Sequence, residues 1–143
     1  MAVALGGLSY FAGTTEGNGD FEGQGGHAAY PQDANDMVVA AAAFISQVQT
    51  IISRSIDPIE GGVITLGKLE AGTIRNVIAG HAHIEGTIRG LTQTMIERID
   101  ERLKDVAAGI ARSFNAQVNV TLNQGGYLPV ENNPDLTKRF ITY

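Results

Sequence analysis

From His81 to Arg89 polar and apolar residues alternate: His81, His83, Glu85, Thr87 and Arg89 fall on one parity, Ala82, Ile84 and Ile88 on the other. Successive side chains of a strand point to opposite faces, so this stretch reads as a strand with one face in a core and the other polar. Its neighbours must supply a sheet that is covered on one side only.

They do so in a definite order. Asp20-Phe21-Glu22 suggests a first strand from Glu16, with Phe21 inward and Gly17, Gly19 and Gly23 weakening it. After Tyr30-Pro31 a helix begins, with Asp33 or Asn35 as cap and Asp36 adding charge to its positive end. Met37, Val38, Ala41, Phe44, Ile45, Val48, Ile51 and Ile52 then recur at three- and four-residue intervals, a core stripe that runs to about Ser55 and stops before Asp57-Pro58. Val63 to Leu69 is a second strand, Thr73 to Ala79 a connection, and His81 to Arg89 the third strand. Thr92 caps a second helix to about Phe114, with Ile96, Ile99, Leu103, Val106, Ile110 and Phe114 on its buried stripe and Asp100 and Lys104 four apart outside it. Asn115 ends it, and Ala116, Val118, Val120 and Leu122 alternate with polar residues as a fourth strand.

The order strand, helix, strand, strand, helix, strand predicts an α+β fold. It is the ferredoxin-like βαββαβ sandwich, a four-stranded antiparallel sheet with both helices on one face. Residues 1–15 read as an entry linker with one short strand, 16–125 as the domain, and 126–143 as an exit segment in which Pro134 to Tyr143 starts a helix. The pattern is that of a domain taken from a larger protein.

Composition narrows the function. The 143 residues are 43% hydrophobic and 17% charged, globular values that argue against a membrane protein. The net charge is -5 and no Lys or Arg precedes Arg54, which argues against a nucleic-acid partner. There is no cysteine, hence no disulfide framework and no thiolate nucleophile, which suits a cytoplasmic protein.

The candidate site starts at Gly23 to Pro31, where His27 follows two glycines and precedes two alanines, unshielded by anything bulky. With the helices covering one face, His27, Asn76 and Arg89 are expected to converge on the other. Arg89 offers a fork for a carboxylate, Asn76 an amide donor and acceptor, and His27 a donor for negative charge developing on oxygen. None is a nucleophile. His81, His83 and Glu85 share a strand face and read either as metal ligands or as a solvated polar row; no second cluster supplies further ligands. Without a nucleophile elbow, phosphate loop or paired carboxylates, the chain reads as a binding domain without a catalytic engine.

Gly23 to Pro31 (GQGGHAAYP), Ser53-Arg54 with Asp57-Pro58, Ala71-Gly72-Thr73 with Asn76-Val77-Ile78, Gly86 to Arg89 and Gly125 to Pro134 occur in this order. Together they resemble the lid, or dimerisation, domain of the family-20 metallopeptidases and amidohydrolases, which include aminoacylases, hippurate hydrolase and the diaminopimelate deacylases. The resemblance implies a parent enzyme whose separate catalytic domain holds two divalent metal ions, zinc or similar; no cofactor or metal is expected on this chain, which should be inactive alone. It implies that His27 reaches the partner subunit's active site, that Asn76 and Arg89 bind the carboxylate end of a small N-acyl amino acid substrate, and that the chain is a homodimer. The expected contact is the edge of the second strand with the first helix. Ala79 stands where the family commonly has proline, and Gly17 to Gly19 replace more strand-like residues. The competing class is a stand-alone ferredoxin-like module that binds an amino acid for regulation.

Overall fold

The computed structural model describes residues 2–5, 8–11, 13–57, 59, 61–127 and 130–131. Its main sheet has four antiparallel strands, β3 (Gly13–Glu22), β5 (Gly62–Ala71), β7 (His81–Gly90) and β8 (Gln117–Tyr127), in the order β5-β7-β3-β8. Helices α1 (Met37–Thr50, prolonged by a π-helical turn Ile51–Ser55) and α2 (Gln93–Ser113) pack on one face, α1 against β5, β7 and β3, α2 against β8, β7 and β3. This is the expected βαββαβ sandwich. Two short strands, β1 (Ala2–Leu5) and β2 (Leu8–Phe11), form a hairpin that also pairs with β9 (Val130–Glu131), and β4 (Gly26–His27) pairs with β6 (Val77–Ile78). The stretch read as an entry linker thus holds two strands and the start of β3. The helix expected over Pro134 to Tyr143 lies outside the described residues.

The core follows from the two periodicities. Phe21, Ile64, Ala82, Ile84 and Ile88 of the sheet are buried against Phe44, Val48, Ile99, Leu103 and Ile110 of the helices, and the rings of Phe21 and Phe44 meet edge to face with centroids 5.3 Å apart. Val120 and Phe114 are partly buried at the margin of this cluster. α2 is capped as expected by the Thr92 hydroxyl, which accepts from Met95 N at 3.1 Å, and Lys104 and Asp100 pair at 3.2 Å. Asn115 takes a left-handed φ of 51° to end the helix region.

Two expectations for α1 are corrected. Its cap is Asp36, whose carboxylate accepts from Val38 N and Val39 N. Asn35 instead bridges Gln24 N and Phe114 O, pinning the loop to the end of α2. The buried face consists of Met37, Ala40, Ala41, Phe44 and Val48, while Val38, assigned to the core stripe, is 45% exposed beside Val39 at 48%. Residues 37–45 are apolar almost all round, so spacing alone does not pick the face that turns inward. Met37–Ser55 is also long and apolar enough by composition to cross a membrane; here its inward face builds the core.

Candidate functional site

The site is built where the chain leaves β3. Gly23 N donates to Gly80 O at 2.8 Å, and the backbone at Gly25 crosses that at Ile78–Gly80 so closely that a Cβ on Gly25 would stand 2.9 Å from Ile78 O. A Cβ on Gly80 would stand 3.0 Å from Gly23 O and Gly25 N. Side chains at either position would force the segments apart. With the glycines in place, Gly26 pairs with Ile78 and His27 with Val77, and Ala28 N donates to Asn76 O at 3.0 Å. His27 and Asn76 are therefore held together through the backbone, both exposed.

His27 is gripped by its own turn. Tyr30 N donates to His27 O at 2.9 Å, Ala29 N donates to His27 Nδ1 at 3.0 Å, and the Tyr30 ring lies edge-on with centroids 5.8 Å apart. The Ala29 amide and the Tyr30 ring escaped the sequence analysis. The available signal was the pair of alanines after the histidine, which leaves no side chain to compete for the turn.

Arg89 does not join the other two within one chain. It stands at the far end of the ten-residue β7, paired with Thr14 of β3 and Val63 of β5, whereas the β4–β6 ribbon adjoins the His81 end. At the rise of a strand, His81 and Arg89 are roughly 26 Å apart. The expected convergence of all three on one spot of a single chain is thus corrected by strand length.

The uncovered face carries a second constellation. Asp20 Oδ1 faces His81 Nε2 at 3.0 Å and His83 Nδ1 at 2.8 Å, and Lys68 Nζ pairs with Glu70 and with Glu85, each at 3.2 Å. The hydrogen bond to Asp20 raises the His83 pKa against a smaller opposing effect of burial, helped by the charges of Asp20, Glu85 and Glu70. Burial pushes Asp20 upward, but the hydrogen bonds and charges of His83 and His81 together outweigh it and leave its carboxyl below the ordinary value. The two imidazoles that the sequence offered, with Glu85, as metal ligands share one carboxylate, and among the described residues no three or more His, Asp or Glu form a group that could hold a metal ion. The two divalent ions implied by the family resemblance find no fitting donor set among the described residues. Between this row and the β4–β6 ribbon lies an open groove of ≈ 470 Å³, lined in part by Gly25, Thr73, Ile78, His81 and His83.

A family model described as the peptidase dimerisation domain matches residues 12–115. The chain belongs to that family. N-acetyldiaminopimelate deacetylase of Limosilactobacillus reuteri (strain DSM 20016) is 76% identical over 133 residues, covering 93% of this chain and 35% of that protein. The enzyme of the same name from Lacticaseibacillus paracasei (strain ATCC 334) is 63% identical over 131 residues, 92% of this chain and 34% of that protein. Among solved structures, one from methicillin-resistant Staphylococcus aureus, assigned as an aminohydrolase, superposes with a TM-score of 0.85 at 31% identity over 90% of this chain and 33% of that one. The chain spans about a third of the length of the curated relatives it matches.

Proposed function

We propose that this chain is the dimerisation and substrate-binding lid of a metal-dependent N-acyl-amino-acid amidohydrolase. The specific reading is N-acetyldiaminopimelate deacetylase, a cytoplasmic enzyme of lysine biosynthesis that hydrolyses N-acetyldiaminopimelate to diaminopimelate and acetate. Residues 16–125 act as the lid, and 1–15 and 126–143 lead from and to the catalytic part, which supplies the metal ligands. The observation that carries this reading is the 76% identity to an enzyme of that name along nearly the whole chain.

The geometry supports a division of labour across a homodimer. Among the described residues β5 is an edge strand, hydrogen-bonded only to β7 in the main sheet, and α1 packs against it with Val38 and Val39 exposed, while Val63 and Leu69 are exposed on β5 itself. An unpaired edge next to an apolar helix face is a surface that a second copy covers. Two-fold antiparallel pairing of β5 sets its Gly62 end against the partner's Ala71 end. The Gly62 end neighbours Arg89, and the Ala71 end leads through Gly72–Arg75 to Asn76 and His27. One protomer's Arg89 and its partner's His27 and Asn76 then border the same site, twice per dimer. In that site Arg89 and Asn76 hold the substrate carboxylate, and His27 donates to the oxygen that becomes negative as the amide carbonyl is attacked.

In the full-length enzyme His27→Ala should lower kcat by roughly 10²–10³, the scale for one oxyanion donor. Arg89→Ala should chiefly raise KM, and more for substrates that carry the carboxylate than for analogues without it. Undiminished turnover of N-acetyldiaminopimelate by His27→Ala would overturn the role of His27.

A further inference from the structure

Three successive amides follow His27, and each is committed. Ala28 N donates across to Asn76 O, Tyr30 N donates back to His27 O, and between them Ala29 N donates to His27 Nδ1 at 3.0 Å. A ring nitrogen that accepts an N–H must present its lone pair, so the single proton of the neutral imidazole is on Nε2. Were the proton on Nδ1, two N–H groups would face each other and the bond would be lost. We propose that the His27–Tyr30 turn is a tautomer lock, in which the Ala29 amide, with the Tyr30 ring as a side wall, fixes His27 as an Nε2–H donor.

The sequence explains why the lock holds on an exposed residue. Positions 28 and 29 are both alanine; Ser, Asn or Asp there would offer a side-chain acceptor to the same amides and compete with the ring. The Tyr30 ring, 5.8 Å away at 61°, limits rotation on one flank. Orientation thus comes from the local turn and not from burial, so His27 arrives at a partner's site already aimed. The inference rests on the amidohydrolase reading for the use of that proton. There the lock makes His27 a standing hydrogen-bond donor to an oxyanion rather than a general base, because Nε2 has no free lone pair and Nδ1 is occupied. Ala29 and Tyr30 are positioning residues; neither is assigned contact with substrate.

The other two histidines provide internal references. His83 turns Nδ1, and His81 turns Nε2, toward the carboxylate of Asp20, so His83 carries a proton on the nitrogen that His27 leaves bare.

The test is a long-range ¹H–¹⁵N spectrum of the uniformly ¹⁵N-labelled chain at neutral pH, with the His27 ring signals assigned by their disappearance in His27→Gln. The expected result is a bare Nδ1 and a protonated Nε2 for His27, together with an ¹⁵N–¹⁵N coupling through the hydrogen bond between the Ala29 amide and Nδ1. Tyr30→Phe should keep that coupling. Absence of the coupling in the unmodified chain, or an Nδ1-protonated His27, would overturn the lock. Because the spectrum involves no turnover, such a failure is distinct from failure of the amidohydrolase reading, which activity alone decides.

Discussion

Adding one methyl group to the covered face of the sheet should have opposite effects at two glycines. Gly19 and Gly86 both line a void of ≈ 30 Å³ between the sheet and Phe44 and Leu103, and neither has a positive φ. A Cβ on Gly19 meets nothing within 4 Å. Gly19→Ala therefore gains up to about 0.8 kcal/mol from burying a methyl-sized group and about 0.4–1 kcal/mol from restricting the unfolded chain, a net stabilisation of roughly 1 kcal/mol. A Cβ on Gly86 stands 2.6 Å from Thr65 O and 2.8 Å from Leu66 Cδ2. The first is backbone of β5 and cannot rotate away, so the edge strand must move at a place where its register is already shifted between Leu66 and Lys68. Overpacking of this kind costs about 1–3 kcal/mol. Urea unfolding should thus separate the variants by roughly 2–4 kcal/mol with unchanged slope, and melting midpoints by roughly 6–12 °C at about 3 °C per kcal/mol. Equal stabilities, or Gly86→Ala the more stable, would refute the steric argument.

Three further outcomes follow from the core, the polar face and the edge. Phe44→Ala should cost about 3–5 kcal/mol, because the ring is 3% exposed and abuts Phe21; Phe114→Ala should cost less, because that ring is only partly buried, and denaturant titration compares the two. The raised His83 pKa gives stability that is complete below the unfolded histidine value, about 6.5, and lost as pH rises through the higher folded value. The lowered Asp20 pKa gives stability that is complete above about 3.9 and lost as pH falls through the lower folded value. The melting difference between wild type and Asp20→Asn should therefore be largest between about pH 4 and 6.5 and shrink by pH 9; a difference independent of pH would contradict the pairing. Val38→Asp should leave the melting midpoint of the protomer nearly unchanged, since Val38 is 45% exposed, yet shift sedimentation toward monomer. An undisturbed dimer would place the contact elsewhere.

The sheet and α2 were legible because their patterns are clean. β7 alternates over its whole length, and α2 sets Ile96, Ile99, Leu103, Val106 and Ile110 against a charged opposite side. α1 was legible as a helix but not in its rotation, since Val38, Val39 and Ala42 are as apolar as the residues that turn inward. The β4–β6 ribbon has two residues per strand, too short for any periodicity. It exists because Gly25 and Gly80 let two backbones touch, a long-range coincidence that neither glycine announces alone. How His27, Asn76 and Arg89 lie relative to one another was not legible, because it depends on strand length: a ten-residue β7 carries Arg89 away from the His27 end. In the proposed dimer, pairing of two β5 edges would bring that end to a second copy's His27.

The claim that two protomers build each site is tested most directly by mixing full-length His27→Ala and Arg89→Ala enzymes, assayed at substrate far below the raised KM of Arg89→Ala so that each is nearly inactive alone, and allowing subunits to exchange. If one protomer's His27 serves its partner's Arg89, every mixed dimer holds one site with both lesions and one intact site. Random exchange then restores about a quarter of wild-type activity, because half the dimers are mixed and each has one working site of two. If both residues act within a single protomer's site, each site of a mixed dimer keeps one lesion. No recovery after confirmed exchange would contradict the account.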